Sequence, residues 1–130
     1  MKDNNPKTQH GEAKPSMSLC PPVAMQAMAR VMRNGADKYG PWNWRDQPIS
    51  MSVYLDAIGR HWSAMCAGED LDPDSGLSHL AHIMAGCGII MDAVDQGCMT
   101  DDRPQTRAKP ATLLVEMDNI MYATRKRDRV

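Results

Sequence analysis

The fold class is decided by residues 77–96, which read LSHLAHIMAGCGIIMDAVDQ. Apolar residues recur there at spacings of three and four, the period of an α-helix, at Leu77, Leu80, Met84, Cys87, Met91 and Val94. Further apolar side chains extend this surface nearly around the helix, at Ile83, Ile89 and Ile90. Such a surface is typical of a central helix, so the pattern predicts a helix that other helices cover.

A first helix is predicted over residues 22–34, where apolar and small residues follow Pro22 at helical spacing. Asn34 and Gly35 are expected to end it, because both residues tolerate positive φ. Residues 37–48 contain turn residues and aromatics without a period, and this segment is predicted as a loop.

The helix after this loop is predicted to begin near a serine cap, either Ser50 or Ser52. It is expected to run to about residue 67 and to stop at Gly68. Its predicted core stripe consists of Leu55, Ile58, Trp62 and Met65.

The rest of the chain divides by composition. Residues 1–18 are predicted as a flexible polar arm, 19–96 as a helical domain, 97–110 as a linker, and 111–130 as an amphipathic helix with a basic end. The fold class is therefore all-α, a small bundle of about four helices with no strand. Because a helix that is apolar all round needs more cover than three short partners offer, we expect a homo-oligomer, a dimer or a tetramer.

The charge balance excludes several classes of protein. Fifteen basic and sixteen acidic residues give a net charge of -1, so no nucleic-acid partner is expected, since phosphate binding needs a basic surplus. No apolar run is long enough to span a membrane, and the N-terminus lacks the apolar core of a secretory signal. These features predict a cytoplasmic protein of one domain.

Titratable side chains are concentrated between residues 56 and 82. His61 lies on the second predicted helix, His79 and His82 share one face of the third, and the turn between the helices carries Glu69, Asp70, Asp72 and Asp74. Imidazoles with carboxylates suit manganese, iron, cobalt or zinc, and carboxylates with water suit magnesium. The alternative is that these are ordinary turn residues and buried core histidines.

A second candidate site is the aromatic loop, where Lys38, Tyr39, Asn43, Trp44 and Arg45 lie within eight residues. Such a set can hold a purine against a ring, with Arg or Lys on phosphates. The alternative is that Trp42 and Trp44 only cover the core.

Several blocks of sequence, taken in order, resemble a known family. They are Lys14-Pro15, Pro21-Pro22, Gly35-Ala36-x-Lys38-Tyr39-Gly40, Asn43-Trp44, Arg60-His61, Gly68-Glu69-Asp70-x-Asp72 and Ser75-Gly76-x-x-His79-Leu80-Ala81-His82. The string resembles the phage dATP/dGTP diphosphohydrolases, the MazZ-like nucleotide pyrophosphohydrolases. The resemblance covers residues 14–95.

The resemblance implies a MazG-like fold and a purine nucleotide substrate, dGTP or dATP, that is cleaved to the monophosphate and pyrophosphate with a divalent metal. Magnesium or manganese is expected, with cobalt or zinc possible. A phage role is also implied, in the host cytoplasm: supply of dGMP toward 2-aminoadenine DNA, and removal of dATP. The implied catalytic residues are His61, Glu69 and Asp70; the implied metal ligands are Glu69, Asp70, Asp72, His79 and His82; the implied substrate-binding residues are Lys14, Lys38, Tyr39, Asn43, Trp44 and Arg60.

One departure from the MazG pattern is visible. That pattern includes an ExxE motif, whereas the glutamates of this chain are Glu12, Glu69 and Glu116 and form no such motif. Either His and Asp replace those ligands or the site is built differently. Two alternatives remain: a histidine/aspartate-type phosphohydrolase, although no adjacent His-Asp pair exists, and a non-catalytic helical module that binds a partner protein.

Overall fold

The computed structural model of the chain describes residues 3–105, and within them the fold is mostly helical. The elements in chain order are α1 (Pro6–Glu12), a 3-10 turn (Met17–Leu19), α2 (Pro22–Tyr39), α3 (Asn43–Asp46), β1 (Ile49–Ser50), α4 (Met51–Cys66), α5 (His79–Asp95) and β2 (Met99–Thr100). The predicted small helical bundle is confirmed. The helix predicted over 111–130 lies outside the described residues.

The two helices that carry the histidines form close to where the sequence predicts them. Helix α5 begins after Ser78, whose side-chain oxygen accepts a hydrogen bond from the amide of Leu80 at 3.1 Å. This cap satisfies one of the free amides of the first turn. Helix α4 begins after Ser50 and ends before Gly68, which has φ of 94°. Glycine permits this left-handed turn without the steric cost that a Cβ would bring.

The predicted end of the first helix is wrong. Helix α2 continues past Asn34 to Tyr39, and it ends only at Gly40, whose φ is 87° and whose amide donates to the carbonyl of Ala36 at 2.8 Å. A single glycine inside a helix costs about 1 kcal/mol relative to alanine and need not stop it. The stop comes where Gly40 precedes Pro41, because proline cannot continue the backbone ladder.

Three further segments differ from the prediction. The predicted loop contains the four-residue helix α3, and the arm over residues 1–18 contains α1, whose N-cap Asn5 accepts from the amide of Lys7. The prediction of no strand is also wrong, since β1 and β2 pair in parallel over two residues each. The amide of Ile49 donates to the carbonyl of Cys98 at 3.0 Å, so this pair fastens the segment after α5 to the start of α4.

Helix α5 lies at the centre, with α2 and α4 packed against it. The inner face of α5 is made of small residues: Ala81 and Ala85 are buried together with Val31 of α2. Small side chains let helix backbones approach closely, and Gly88 shows how closely. A Cβ built there would meet the terminal methyl of Met28 at 2.5 Å.

The outer faces of α4 and α5 remain apolar and exposed. Two residues of the predicted core stripe of α4, Leu55 and Trp62, are exposed, whereas Ile58 and Met65 are half-buried. On α5 the exposed apolar residues include Leu80, Met91 and Val94. No helix of the described part is long and apolar enough to cross a membrane.

Candidate functional site

A cavity of about 740 Å³ opens between α2, α4 and α5. Its size falls in the range of small-molecule sites, roughly 300–1,000 Å³. Two histidines line it, His61 and His82, and so do aromatic residues from the end of α2, the α2–α4 connection and α4, namely Tyr39, Trp42, Trp44 and Tyr54. The same cavity therefore joins the titratable cluster and the aromatic loop, which the sequence could only propose as separate candidates.

The turn between α4 and α5 folds back over the first turn of α5. The amide of His79 donates to the carbonyl of Asp70 at 3.0 Å, and the amide of Asp72 donates to the carbonyl of Leu77 at 2.8 Å. A further amide bond, from Glu69 to Ala64 at 3.0 Å, ties the start of the turn to α4. These backbone bonds hold the acidic side chains beside the histidines.

His79 is the buried member of the cluster, at 4% exposure, and both of its ring nitrogens are engaged. Nε2 lies 2.7 Å from Oε1 of Glu69, and Nδ1 lies 2.8 Å from Nδ1 of His61. With one proton on His79, that proton belongs on Nε2, because the carboxylate can only accept. Nδ1 of His79 then accepts from Nδ1 of His61, and Nε2 of His61 carries a free lone pair.

His82 stacks on His61, with ring centroids 4.4 Å apart and planes 6° from parallel. Its Nε2 lies 2.7 Å from Oγ of Ser75 and 3.5 Å from Oδ2 of Asp72. The hydroxyl of Ser75 also accepts from the amide of Leu77 at 3.1 Å. Ser75 therefore orients the ring of His82.

The two stacked histidines are held in the neutral form. Burial lowers the pKa of His61, and the neighbouring His82 lowers it further, against the raising effect of Asp72. Burial also lowers the pKa of His82, and Asp72 again acts in the opposite direction. Both imidazoles are thus mainly neutral at pH 7, the form that ligates a metal.

Three residues bring potential ligand atoms within 4.8 Å of one another: His61, Asp72 and His82. Two neutral imidazoles and one carboxylate are a donor set that suits manganese, cobalt or zinc. The cluster therefore fits a divalent metal. Of the ligands that the resemblance implies, Asp72 and His82 belong to this group, whereas His79 and Glu69 bond to each other behind it and Asp70 is exposed.

At the other end of the cavity, Trp44 and Arg45 are fastened to α5 through Asp92. The indole Nε1 of Trp44 donates to Oδ2 of Asp92 at 2.7 Å, and the guanidinium of Arg45 bonds to both carboxylate oxygens at 2.7 and 2.9 Å. These bonds lower the pKa of Asp92 to about 2, the bond from Arg45 having the largest effect. Trp44 is buried, so it packs the wall of the cavity.

The remaining residues that the resemblance implies for the substrate fall in two groups. Lys38, Tyr39 and Asn43 line the cavity. Arg60 is exposed on α4 beside His61, and Lys14 is exposed after α1; neither is among the lining residues.

Asp92 was not among the residues predicted for the site, and Trp42 was considered only as a cover of the core. Asp92 is the first charged residue in the helix after His79, and a carboxylate inside an otherwise apolar run was a signal that a partner had to exist. Trp42 adopts φ of 58°, which no pattern in the sequence indicates.

Comparison with known proteins places the chain in a family. The family described as "dATP/dGTP diphosphohydrolase, N-terminal" matches residues 4–103. A protein of Salmonella phage PMBT28, named dATP/dGTP diphosphohydrolase, is 33% identical over 99 residues, which cover 76% of this chain and 33% of that protein. The chain thus spans about a third of the length of this curated relative. No solved structure matches. Since the family match covers most of the chain, this protein belongs to the dATP/dGTP diphosphohydrolase N-terminal family.

Proposed function

We propose that the protein hydrolyses purine deoxynucleoside triphosphates, dGTP or dATP, to the monophosphate and pyrophosphate. The observation that carries the proposal is the shared cavity, which is lined by aromatic side chains and by His61 and His82, the two histidines that lie with Asp72 in the group of potential ligands. The family membership and the name of the phage relative support the same substrates. In a phage-infected host this reaction would remove dATP and supply dGMP toward 2-aminoadenine DNA.

The metal of the proposed reaction would be held by His61, Asp72 and His82. A divalent cation there would lower the pKa of a bound water and neutralise charge on the triphosphate. Magnesium and manganese remain the proposed ions, and the two imidazoles favour manganese, or cobalt and zinc, over magnesium.

The side chains around this group have distinct proposed roles. Glu69, through His79, keeps the proton of His61 on Nδ1 and so leaves Nε2 free. Lys38 lines the cavity and lies close enough for its charge to lower the pKa of His82, so we assign it to the triphosphate. Arg60, adjacent to His61, would bind the departing pyrophosphate, and the exposed carboxylate of Asp70 would accept the proton of the attacking water.

We also propose that the active protein is a homo-oligomer, a dimer or a tetramer. The exposed apolar residues of α5, Leu80, Met91 and Val94, follow spacings close to those of a helix–helix interface, and Leu55 and Trp62 do the same on α4. A symmetric pairing of these two helices with a second copy would bury both stripes in a four-helix arrangement. Sedimentation equilibrium tests this: Met91→Glu should shift the mass toward the monomer, and a monomeric wild-type chain would refute it.

The reaction is tested by identifying the products. The purified chain is incubated with each of the four dNTPs and GTP, with magnesium or with manganese, and the products are separated by ion-exchange chromatography. Monophosphate with pyrophosphate from dGTP or dATP is the expected result. Release of triphosphate would favour a histidine/aspartate-type enzyme, and no turnover with either metal would favour a non-catalytic binding module.

Asp72→Asn provides the control for contaminating phosphatases. The substitution keeps the shape of the side chain and its acceptor oxygen toward the amide of Asp74, which lies at 2.9 Å, but removes the charge. Activity that survives this change would not come from the proposed site.

A further inference from the structure

We infer that Trp42 is the residue that stacks on the purine base, and that Arg45 and Asp92 position its ring for this task. This inference rests on the proposed nucleotide substrate. It assigns the base to a residue that the resemblance did not implicate, since the family motif points to Trp44.

Trp42 combines exposure with an unusual backbone. It lines the cavity, 55% of it is exposed, and it has φ of 58° and ψ of 26°. Bulky side chains rarely adopt this left-handed conformation, and they keep it only where the surroundings fix it. Glycine or asparagine would adopt this left-handed conformation with less steric strain. The tryptophan therefore occupies this position at a cost in backbone strain.

Two side chains lie against the ring of Trp42, and Asp92 holds both of them in place. The guanidinium carbon of Arg45 lies 4.3 Å from the centroid of the Trp42 ring, and the Trp44 ring lies 5.4 Å away at 50°. Both neighbours are themselves bonded to Asp92. A cation over one face of an indole holds the ring in place and leaves aromatic surface for a second flat group.

The other rings are less suitable for stacking. Trp44 is 5% exposed, and its indole N–H is used by Asp92. Tyr54 is half-buried on α4, and Tyr39 is 72% exposed at the end of α2. Trp42 has the largest π surface that is both open and positioned, and a purine overlaps an indole over more area than a pyrimidine does. This geometry favours a purine base at the aromatic end, with the phosphates toward His61 and His82.

The test measures binding of dGMP to the full chain by calorimetry in EDTA; dGMP has no phosphoanhydride bond, so the proposed reaction cannot consume it. Trp42→Leu keeps an apolar side chain but removes the ring. We expect it to weaken dGMP binding by roughly 5- to 100-fold, the range found when single base-stacking aromatics are removed, and to weaken dCMP binding by less. The control is Val23→Ala near the start of α2, an exposed residue that is neither among the lining residues nor on the proposed oligomer interface; its affinity for dGMP should stay within about twofold of wild type.

Kinetics with dGTP separate stacking from a collapse of the site. Trp42→Leu should raise KM by the same factor as the dissociation constant of dGMP, while the inhibition constant of inorganic pyrophosphate, which has no base, should be unchanged. Equal dGMP affinity in Trp42→Leu and wild type would overturn the inference.

The two proposals fail in different ways. If the wild-type chain hydrolyses dGTP and Trp42→Leu has a wild-type KM, the stacking role is wrong and the proposed reaction stands. If the wild-type chain binds dGMP and Trp42→Leu does not, but no triphosphate is turned over, the stacking role stands and the proposed reaction is wrong. If the wild-type chain binds no purine nucleotide, the stacking inference is refuted.

Discussion

Helix α5 carries a polar cluster near each of its ends, and the two clusters differ in how their charges are balanced. Near the C-terminal end, the carboxylate of Asp92 is matched by the guanidinium of Arg45, and both of its oxygens accept hydrogen bonds. The resulting pKa of about 2 means that its charge is stabilised within the fold itself. A polar group that is paired in this way has no need of a ligand.

Near the N-terminal end, Asp72 faces His61 and His82, whose pKa values burial lowers. Because these two imidazoles are mainly neutral at pH 7, they do not balance the carboxylate. The cluster offers lone pairs and a negative charge instead, which is the arrangement that a cation stabilises. Each cluster thus contains one aspartate on or beside α5, but only the charge of Asp92 is matched by a cation of the fold, and Asp72 lies in the group of potential metal ligands.

The largest expected effect comes from Asp72→Asn. Removing the charge should lower kcat/KM by roughly 10³-fold, because a metal contributes several kcal/mol of transition-state stabilisation. It should also weaken binding of manganese, measured by calorimetry without substrate. The circular dichroism spectrum should not change, since Asn keeps the acceptor for the amide of Asp74.

Asp74→Asn is the matched control for that variant, because Asp74 lies in the same turn but outside the group of three potential ligands. It should keep kcat/KM within about threefold, as expected for an exposed residue away from special contacts. Equal losses in both variants would show that the turn, not the ligand, was disturbed.

The next largest effect is expected from Glu69, which orients His61 through His79. Glu69→Gln should lower manganese affinity and kcat/KM by roughly 10- to 100-fold, the usual range for groups that orient a metal-binding histidine. The neutral amide no longer fixes the proton of His79 on Nε2, so the lone pair of His61 is no longer assured. Glu12→Gln, at the exposed end of α1, serves as the control. Unchanged metal affinity in Glu69→Gln would refute the orienting role.

The sequence predicted the α5 helix well because its apolar residues keep the helical spacing throughout residues 77–96. It also indicated that the three histidines would converge, as they do in the fold, since two are three residues apart on one helix and the third lies on the preceding one. These are consequences of helix geometry, which acts over a few residues.

What the sequence did not reveal depends on contacts across long separations. The bond between Trp44 and Asp92 joins residues 48 positions apart, and the pairing of Ile49 with Met99 fastens segments that carry no strand pattern. The sequence also did not show which histidine of the cluster does what, because only the fold shows that His79 is enclosed between Glu69 and His61. The exposed Trp62 was expected in the core, since periodicity marks an apolar face without saying what covers it.

The two clusters should also respond to acid in different ranges of pH. Since the folded pKa values of His61 and His82 are lowered, the unfolded chain binds more protons below pH 6.5, and the free energy of unfolding should fall as the pH drops through that region. The contribution of Asp92 should be present above its unfolded pKa of 3.8 and be lost only as the pH approaches about 2. Urea unfolding in EDTA between pH 7.5 and 2 measures both.

Two variants show which residues cause each of these two losses of stability. The double variant His61→Gln/His82→Gln should flatten the curve between pH 7 and 5, while Asp92→Asn should lower stability throughout this range without changing its slope. A change of slope in Asp92→Asn near pH 6 would mean that the two ends of α5 are coupled.

The smallest expected effect isolates the backbone of Trp42 from its ring. Both Trp42→Ala and Trp42→Gly remove the indole and its contact with Arg45, so the two variants lose the same side-chain interactions. They differ because alanine pays the steric cost of φ near 58° and glycine does not. Trp42→Gly should therefore unfold with a free energy about 1 kcal/mol higher than Trp42→Ala, as measured by urea denaturation. At an ordinary helical position the order would be reversed, so a less stable glycine variant would mean that Trp42 carries no backbone strain.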